Sequence, residues 1–127
     1  MTMSDNLFSA LDSATAALKS VTAATLGPDA LHGAVSVLDG IPLNDLIDAF
    51  TRELPAPQDD HKLEAERRKK LDGIADELNR KLDAVNDELK RIKSMRSTLN
   101  LDALDPVIHA AQKVVRPLFN LSADLRS

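Results

Sequence analysis

DDHKLEAERRKKLDGIADELNRKLDAVNDELKRIKSMRST, residues 59–98, holds 21 of the chain's 36 charged residues, and an apolar stripe runs through them. Leu71, Ile74, Leu78, Leu82, Val85, Leu89 and Ile92 recur at steps of three or four, the spacing of one helix face. No Pro interrupts the run, and Gly73 is the only weak helix former in its middle. A helix over about 60–97 would be about 57 Å long at 1.5 Å per residue. A compact domain of this size has a radius of gyration of only about 14 Å. The stretch therefore predicts a rod, a long bundle or part of an assembly rather than a sphere.

The period refines that expectation. Leu71, Leu78, Val85, Ile92 and Leu99 would make a heptad series, but Lys81 and Glu88 fill its second seam position while Leu82 and Leu89 sit next door. The stripe follows 3.6 residues per turn more closely than 3.5, and a sustained left-handed supercoil needs the stricter repeat. The fold class expected is all-α: an elongated helical bundle, or a short imperfect coiled coil, built around one long helix (about 60–97). On the polar faces Glu64–Arg68, Glu66–Lys70, Asp76–Arg80, Glu77–Lys81 and Asp87–Arg91 place each acid four residues before its base, worth about 0.2–0.5 kcal/mol per pair.

Outward from this stretch the chain divides into four parts. Residues 1–54 form an Ala/Leu-rich three-helix segment, 55–58 (PAPQ) a stiff Pro-rich connector, 59–98 the long charged helix, and 99–127 an apolar C-terminal helix and tail. The first helix is expected from about Asp5 to Leu26, capped by Ser4, Asp5 or Asn6 and stopped by Gly27-Pro28. Leu7, Leu11, Ala14, Leu18 and Val21 are its stripe. A second helix opens at Pro28 and closes at Gly40. Asn44 is expected to cap a third, which carries Leu46, Ile47, Phe50 and Leu54 and stops at Pro55. Asp59 or Asp60 caps the long helix, which ends between Ser97 and Asn100. Asp105-Pro106 opens the last helix, and Pro117 should bend or end it, leaving Leu118, Phe119, Leu121 and Leu125 as a greasy tail.

Composition bounds the chemistry. Apolar residues make up 43% of the 127, yet there are three Phe and no Tyr or Trp, so the core must be aliphatic. With no Cys there is no disulfide, thiolate zinc site or Cys nucleophile. The start reads as no signal peptide, and no apolar run approaches the ~18 residues of a spanning helix. The expected location is cytoplasmic, or within a particle or virion. The net charge of −4 divides into −5 over 1–58, +1 over 59–98 and zero over 99–127, which lacks the field for general nucleic-acid binding.

No catalytic constellation is present. His32, His61 and His109 lie on three segments without ligand-like spacing and read as surface or bundle-edge residues. Asp45, Asp48, Asp102 and Asp105 read as caps and first-turn acids that complement the helix dipole. The four glycines form no phosphate loop, and there is no G-x-S-x-G, H-E-x-x-H or P-loop. No metal, cofactor or enzymatic activity is expected. Asn120-Leu121-Ser122 matches a glycosylation sequon, without a secretory signal to give it meaning. Arg67-Arg68-Lys69-Lys70 reads first as a solvated helix face, since acids surround it and no aromatic residue can stack on a base. Its alternative is a polar docking patch for an acidic partner, such as the N-terminal half of a neighbouring copy. Gly73 is either a plain surface substitution or the mark of a hinge or close helix crossing. The first helix carries Lys19 as its only base, so it fits packing on protein better than on a membrane.

These features point to a non-enzymatic structural protein. In that reading Leu71, Ile74, Leu78, Leu82, Val85, Leu89 and Ile92 form a partner-docking stripe that builds a homo-oligomer or a larger machine, such as a phage-tail, virion or injection-apparatus component. The alternative is a monomeric helical adaptor or chaperone that holds an amphipathic segment of a client protein. Membrane and nucleic-acid association rank behind both. A charge in the seam, Leu82→Asp or Leu89→Asp, should abolish folding or assembly in gel filtration and thermal melts. Arg68→Ala should change stability by no more than ~0.5 kcal/mol.

Overall fold

The long helix begins where the sequence supplies a cap. In the computed structural model, which describes the backbone of residues 3–126 and the side chains of 6–125, the Asp60 carboxylate accepts the N–H groups of Lys62 (2.9 Å) and Leu63 (3.1 Å). Five α-helices run in order: α1 Met3–Lys19, α2 Pro28–Asp39, α3 Leu43–Arg52, α4 His61–Leu99 and α5 Asp105–Arg126. A 3-10 turn, Asp102–Leu104, joins α4 to α5, and the described residues contain no strand. The fold is all-α. α4 is unbroken over 39 residues and ends on Asn100, whose φ of 54° and ψ of 49° put it in the left-handed conformation that Asn tolerates better than most residues.

Polar contacts fix the helix directions. Lys81 of α4 reaches Asp12 of α1 (2.9 Å), and Arg91 donates to the carbonyls of Leu18 and Val21 (both 2.8 Å), so α1 runs parallel to α4. Asn79 meets Ser122 (2.6 Å) and Arg96 meets Asp105 (2.7 Å), so α5 runs antiparallel to α4. The start of α2 lies beside Pro106 and Val107, while the end of α3 lies beside Leu121 and Leu125. α2 and α3 are thus one descending edge broken at Ile41-Pro42. The result is an up-down-up-down bundle in which α1 and α5 flank α4, and α2 packs against both of them on the far side.

Each helix contributes the face its spacing marks. Leu7, Leu11, Ala14 and Leu18 of α1, Leu31 and Leu38 of α2, and Val107, Ala111, Val114 and Leu118 of α5 join the α4 stripe in one core. Phe50 of α3 is fully buried and meets Phe8 of α1 edge-on, ring centroids 6.3 Å apart. Six of the seven stripe residues are buried, Ile74 is half-buried, and Ala75 joins them at the bottom of the seam. These are the residues expected to form a partner-docking stripe. The rod is continuous, but its apolar side is covered by α1 and α5 of the same chain, because both carry matching faces.

Three local expectations also change. α1 stops at Lys19 rather than Leu26. Ser20 Oγ donates to Ala17 O (2.6 Å), Thr25 Oγ1 donates to Ser20 O (2.6 Å), and Arg91 takes two nearby carbonyls. These side-chain bonds compete with the helical ladder. The start of α1 at Met3 puts Asn6 inside the helix, and the side chains of Ser4 and Asp5 lie outside the described residues. α3 starts after Pro42 rather than at an Asn44 cap. α5 passes through Pro117 to Arg126. Pro117 and Lys113 are exposed, so the Lys113 carbonyl that loses its partner faces water, and buried Val114 and Leu118 hold both flanks on the core. Asp105 turns its carboxylate to Arg96 instead of capping α5.

The cross-helix role of Arg91 and the open face at Gly73 predict opposite effects. Arg91→Met leaves the Leu18 and Val21 carbonyls without their charged donor and should lower stability by about 1–2 kcal/mol. A Cβ at Gly73 would meet nothing within 4 Å, so no close helix crossing exists there. Gly73→Ala should raise stability by about 0.5–1 kcal/mol. Urea unfolding followed by circular dichroism measures both.

Candidate functional site

α4 outruns the bundle. Its first buried stripe residue is Leu71, so residues 61–70 project as an arm about 15 Å long. Leu63 on this arm is 49% exposed. The arm is not loose. Glu64 Oε2 accepts the Gln58 backbone N–H (2.8 Å), Glu64 Oε1 accepts from Arg67 (2.7 Å), and Arg67 Nε donates to the Pro55 carbonyl (3.0 Å). Glu64 and Arg67 thereby bind the Pro-rich connector back against the helix it precedes. The connector joins segments that share one core.

Where the arm leaves the bundle, a groove of about 730 Å³ opens between α3, the arm's base and the end of α5. Ile47, Thr51 and Leu54 line it from α3 and the turn after it. Pro117, Asn120, Leu121, Asp124 and Leu125 line it from α5, and Arg67, Arg68, Leu71 and Asp72 from α4. Each set repeats at three or four residues, so each helix turns one face into the groove. Its floor is apolar, and its rim carries Arg68 and Asp72 on the α4 side and Asp124 on the α5 side. At the opposite end of the bundle a smaller apolar recess of about 320 Å³ lies between Leu31 and Val35 of α2 and Pro106 and Val107 of α5.

The structure divides the basic block. Arg67 is engaged with Glu64 and Pro55, and Arg68 lies 3.7 Å from Glu64 on the groove side. At about 100° per residue, Lys69 and Lys70, with Lys62, fall on the side of the helix turned away from the groove. All three are exposed. Of the bases expected to pair with Glu77 and Asp87 along the helix, Lys81 crosses to Asp12 of α1, while Arg91 pairs with Glu88 (2.8 Å) and also reaches the Leu18 and Val21 carbonyls. His32, His61 and His109 are exposed and dispersed, and the described residues contain no cluster of His, Cys, Asp or Glu that could hold a metal ion. No described helix is long and apolar enough to cross a membrane. Sequence reading missed the groove, because its walls come from three segments and depend on where each helix stops.

Two carboxylates give the molecule an acid limb. The Gln58 N–H, followed by Arg67, holds Glu64 below its ordinary range, and the hydrogen bond from Arg96 does the same for Asp105. A carboxylate depressed in the folded state adds stability that is complete above its unfolded value of about 4 and is lost as pH falls through the depressed value. Stability should be flat from neutral pH to about 5 and fall below about 4. Both groups are solvated, so each effect is small. Asp105→Asn should flatten the acid limb and lower stability at neutral pH, as read from urea midpoints across a pH series. No protein-family model, curated protein or solved structure matches this chain, so the groove and the arm are read from their own chemistry.

Proposed function

We propose that this chain is a non-enzymatic adaptor: a folded bundle that holds an amphipathic helical segment of another protein in the groove between α3, the base of the arm and the end of α5. The groove itself carries the reading. It is an apolar-floored trough at the one place where α4 continues and its covering helices do not. Helix-in-groove recognition uses anchors at i, i+3 or i+4 and i+7. Ile47, Leu54 and Leu121 are half-buried, so each keeps apolar surface for such anchors to cover. Arg68 and Asp72, one turn apart on the rim, offer charges of opposite sign that orient an entering helix. The bundle covers its own stripe, so client binding draws on the groove without opening the core.

The reading as an assembly protein has separate support in the outer face of the arm, which is exposed and basic.

The adaptor reading is tested by titrating isotope-labelled protein with a designed helical peptide bearing Leu at i, i+4, i+7 and i+11. Chemical-shift changes should concentrate at Thr51, Leu54, Asn120 and Leu121. Leu121→Glu should abolish them while keeping a cooperative melt. Binding confined to the α2–α5 recess, or none at hundreds of micromolar, overturns the reading.

A further inference from the structure

Two segments of this chain carry substantial net charge, and their signs are opposite. Residues 20–60, which include α2, α3 and the connector, hold seven acids against Arg52 alone, and the arm over 61–70 holds five bases against two acids. Every other segment balances to within one charge. The two blocks do not neutralise each other inside the molecule. The arm's own ion pairs run from Glu64 to Arg67 and Arg68. Among the described residues, Lys62, Lys69 and Lys70 have no carboxylate at ion-pair distance, and Asp45 and Asp48 have no base.

Geometry keeps them apart. The three lysines lie on the side of the arm away from the groove, and Asp45 and Asp48 lie on the exposed side of α3 opposite the buried Phe50. Both faces sit at the same end of the bundle, because residues 53–60 join the end of α3 directly to the arm. Each is ten residues of helix, about 15 Å long.

We propose that a second copy of this chain is the partner of the arm: the lysine face of one copy lies across the Asp45/Asp48 face of α3 in the other, and a two-fold rotation makes the same contact in return. An isologous dimer satisfies both charge blocks at once, and one axis suffices because the two faces are neighbours. The surface is small and polar, which sets a weak, reversible, salt-sensitive dimer. It leaves the groove open and does not depend on the adaptor reading, since the lysines and the groove occupy opposite sides of α4.

Sedimentation of the full chain over a concentration series tests it. At low ionic strength the protein should pass from monomer to dimer, and the dimer should weaken about tenfold or more in high salt as exposed pairs are screened. Lys69→Glu with Lys70→Glu should give a monomer, as should Asp45→Lys with Asp48→Lys. An equimolar mixture of these two double variants should dimerise again, because each reversed arm now meets a reversed α3 face. All four positions are exposed, and unchanged thermal melts would show that each variant is folded. A wild-type monomer throughout, a dimer indifferent to the reversals, or double variants that fail to associate overturns the proposal. A ladder of larger species overturns the two-fold arrangement.

Discussion

The length of one apolar stripe sets the height of this bundle. From Leu71 to Ile92 the stripe covers roughly 32 Å of helix, close to the roughly 33 Å of the 22-residue α5 laid along it. The helix bearing the stripe is 39 residues long, almost twice that extent. Apolar burial is roughly proportional to area removed from water, so covering helices extend only as far as there is apolar surface to cover. Beyond Leu71 the face changes to Arg67, Arg68, Lys69 and Lys70, and the cover stops. The arm stays helical because Asp60 caps it, its residues are good helix formers, and the rest of α4 supplies the nucleus. Both the groove and the basic face are consequences of this mismatch.

An aliphatic seam alone fixes neither direction nor register, since Leu, Val and Ala faces interlock in several ways. Polar ties make the choice. Ser122, the only buried polar residue among the described side chains (5% exposed), donates to Asn79 and pins the antiparallel α4–α5 pair near the C-terminal end of α5. Sliding by one turn would leave the Ser122 hydroxyl buried without its partner. Arg96 binds Asp105 and Asp102 at the other end of the same pair. On the α1 side the Arg91 guanidinium takes the carbonyl of Leu18 in the last turn of α1 and that of Val21 just beyond it. It supplies a positive charge where the α1 dipole is negative. The parallel α1–α4 alignment and the early end of α1 thus share one cause.

How much of this is legible in the chain depends on how local each cause is. The stripe, the Asp60 cap, the Asn100 terminus and the break at Ile41-Pro42 are written in short-range spacing, and the helices follow them closely. Pro117 misleads, because the cost of a missing hydrogen bond depends on whether the orphaned carbonyl meets water, which only packing decides. Lys81 and Arg91 mislead in another way. Their acids four residues earlier are visible in the sequence, while Asp12 and the Leu18 and Val21 carbonyls are some seventy residues away. Ala75 escapes a reading that looks for large side chains, although the tightest part of a helix–helix contact favours a small one. The groove is least legible. Its residues become neighbours only after three helices have ended at particular places.

The stripe itself also teaches where function should be sought. An apolar face at helical spacing says that something covers it, without saying whose helix does so. The competition favours the same chain. A covering helix tethered through a short turn acts at an effective concentration in the millimolar range, far above that of a free partner in most settings. α5 follows α4 after five residues, and its Val107–Leu118 face matches the seam. A separate molecule could displace it only with a better face or by breaking the Arg96 and Asn79 ties. The surfaces that this intramolecular cover leaves open therefore lie where it runs out, at the base of the arm and along its outer face. The same logic applies to any chain whose longest helix exceeds its neighbours: the seam builds the fold, and the unmatched length is what remains for a partner to read.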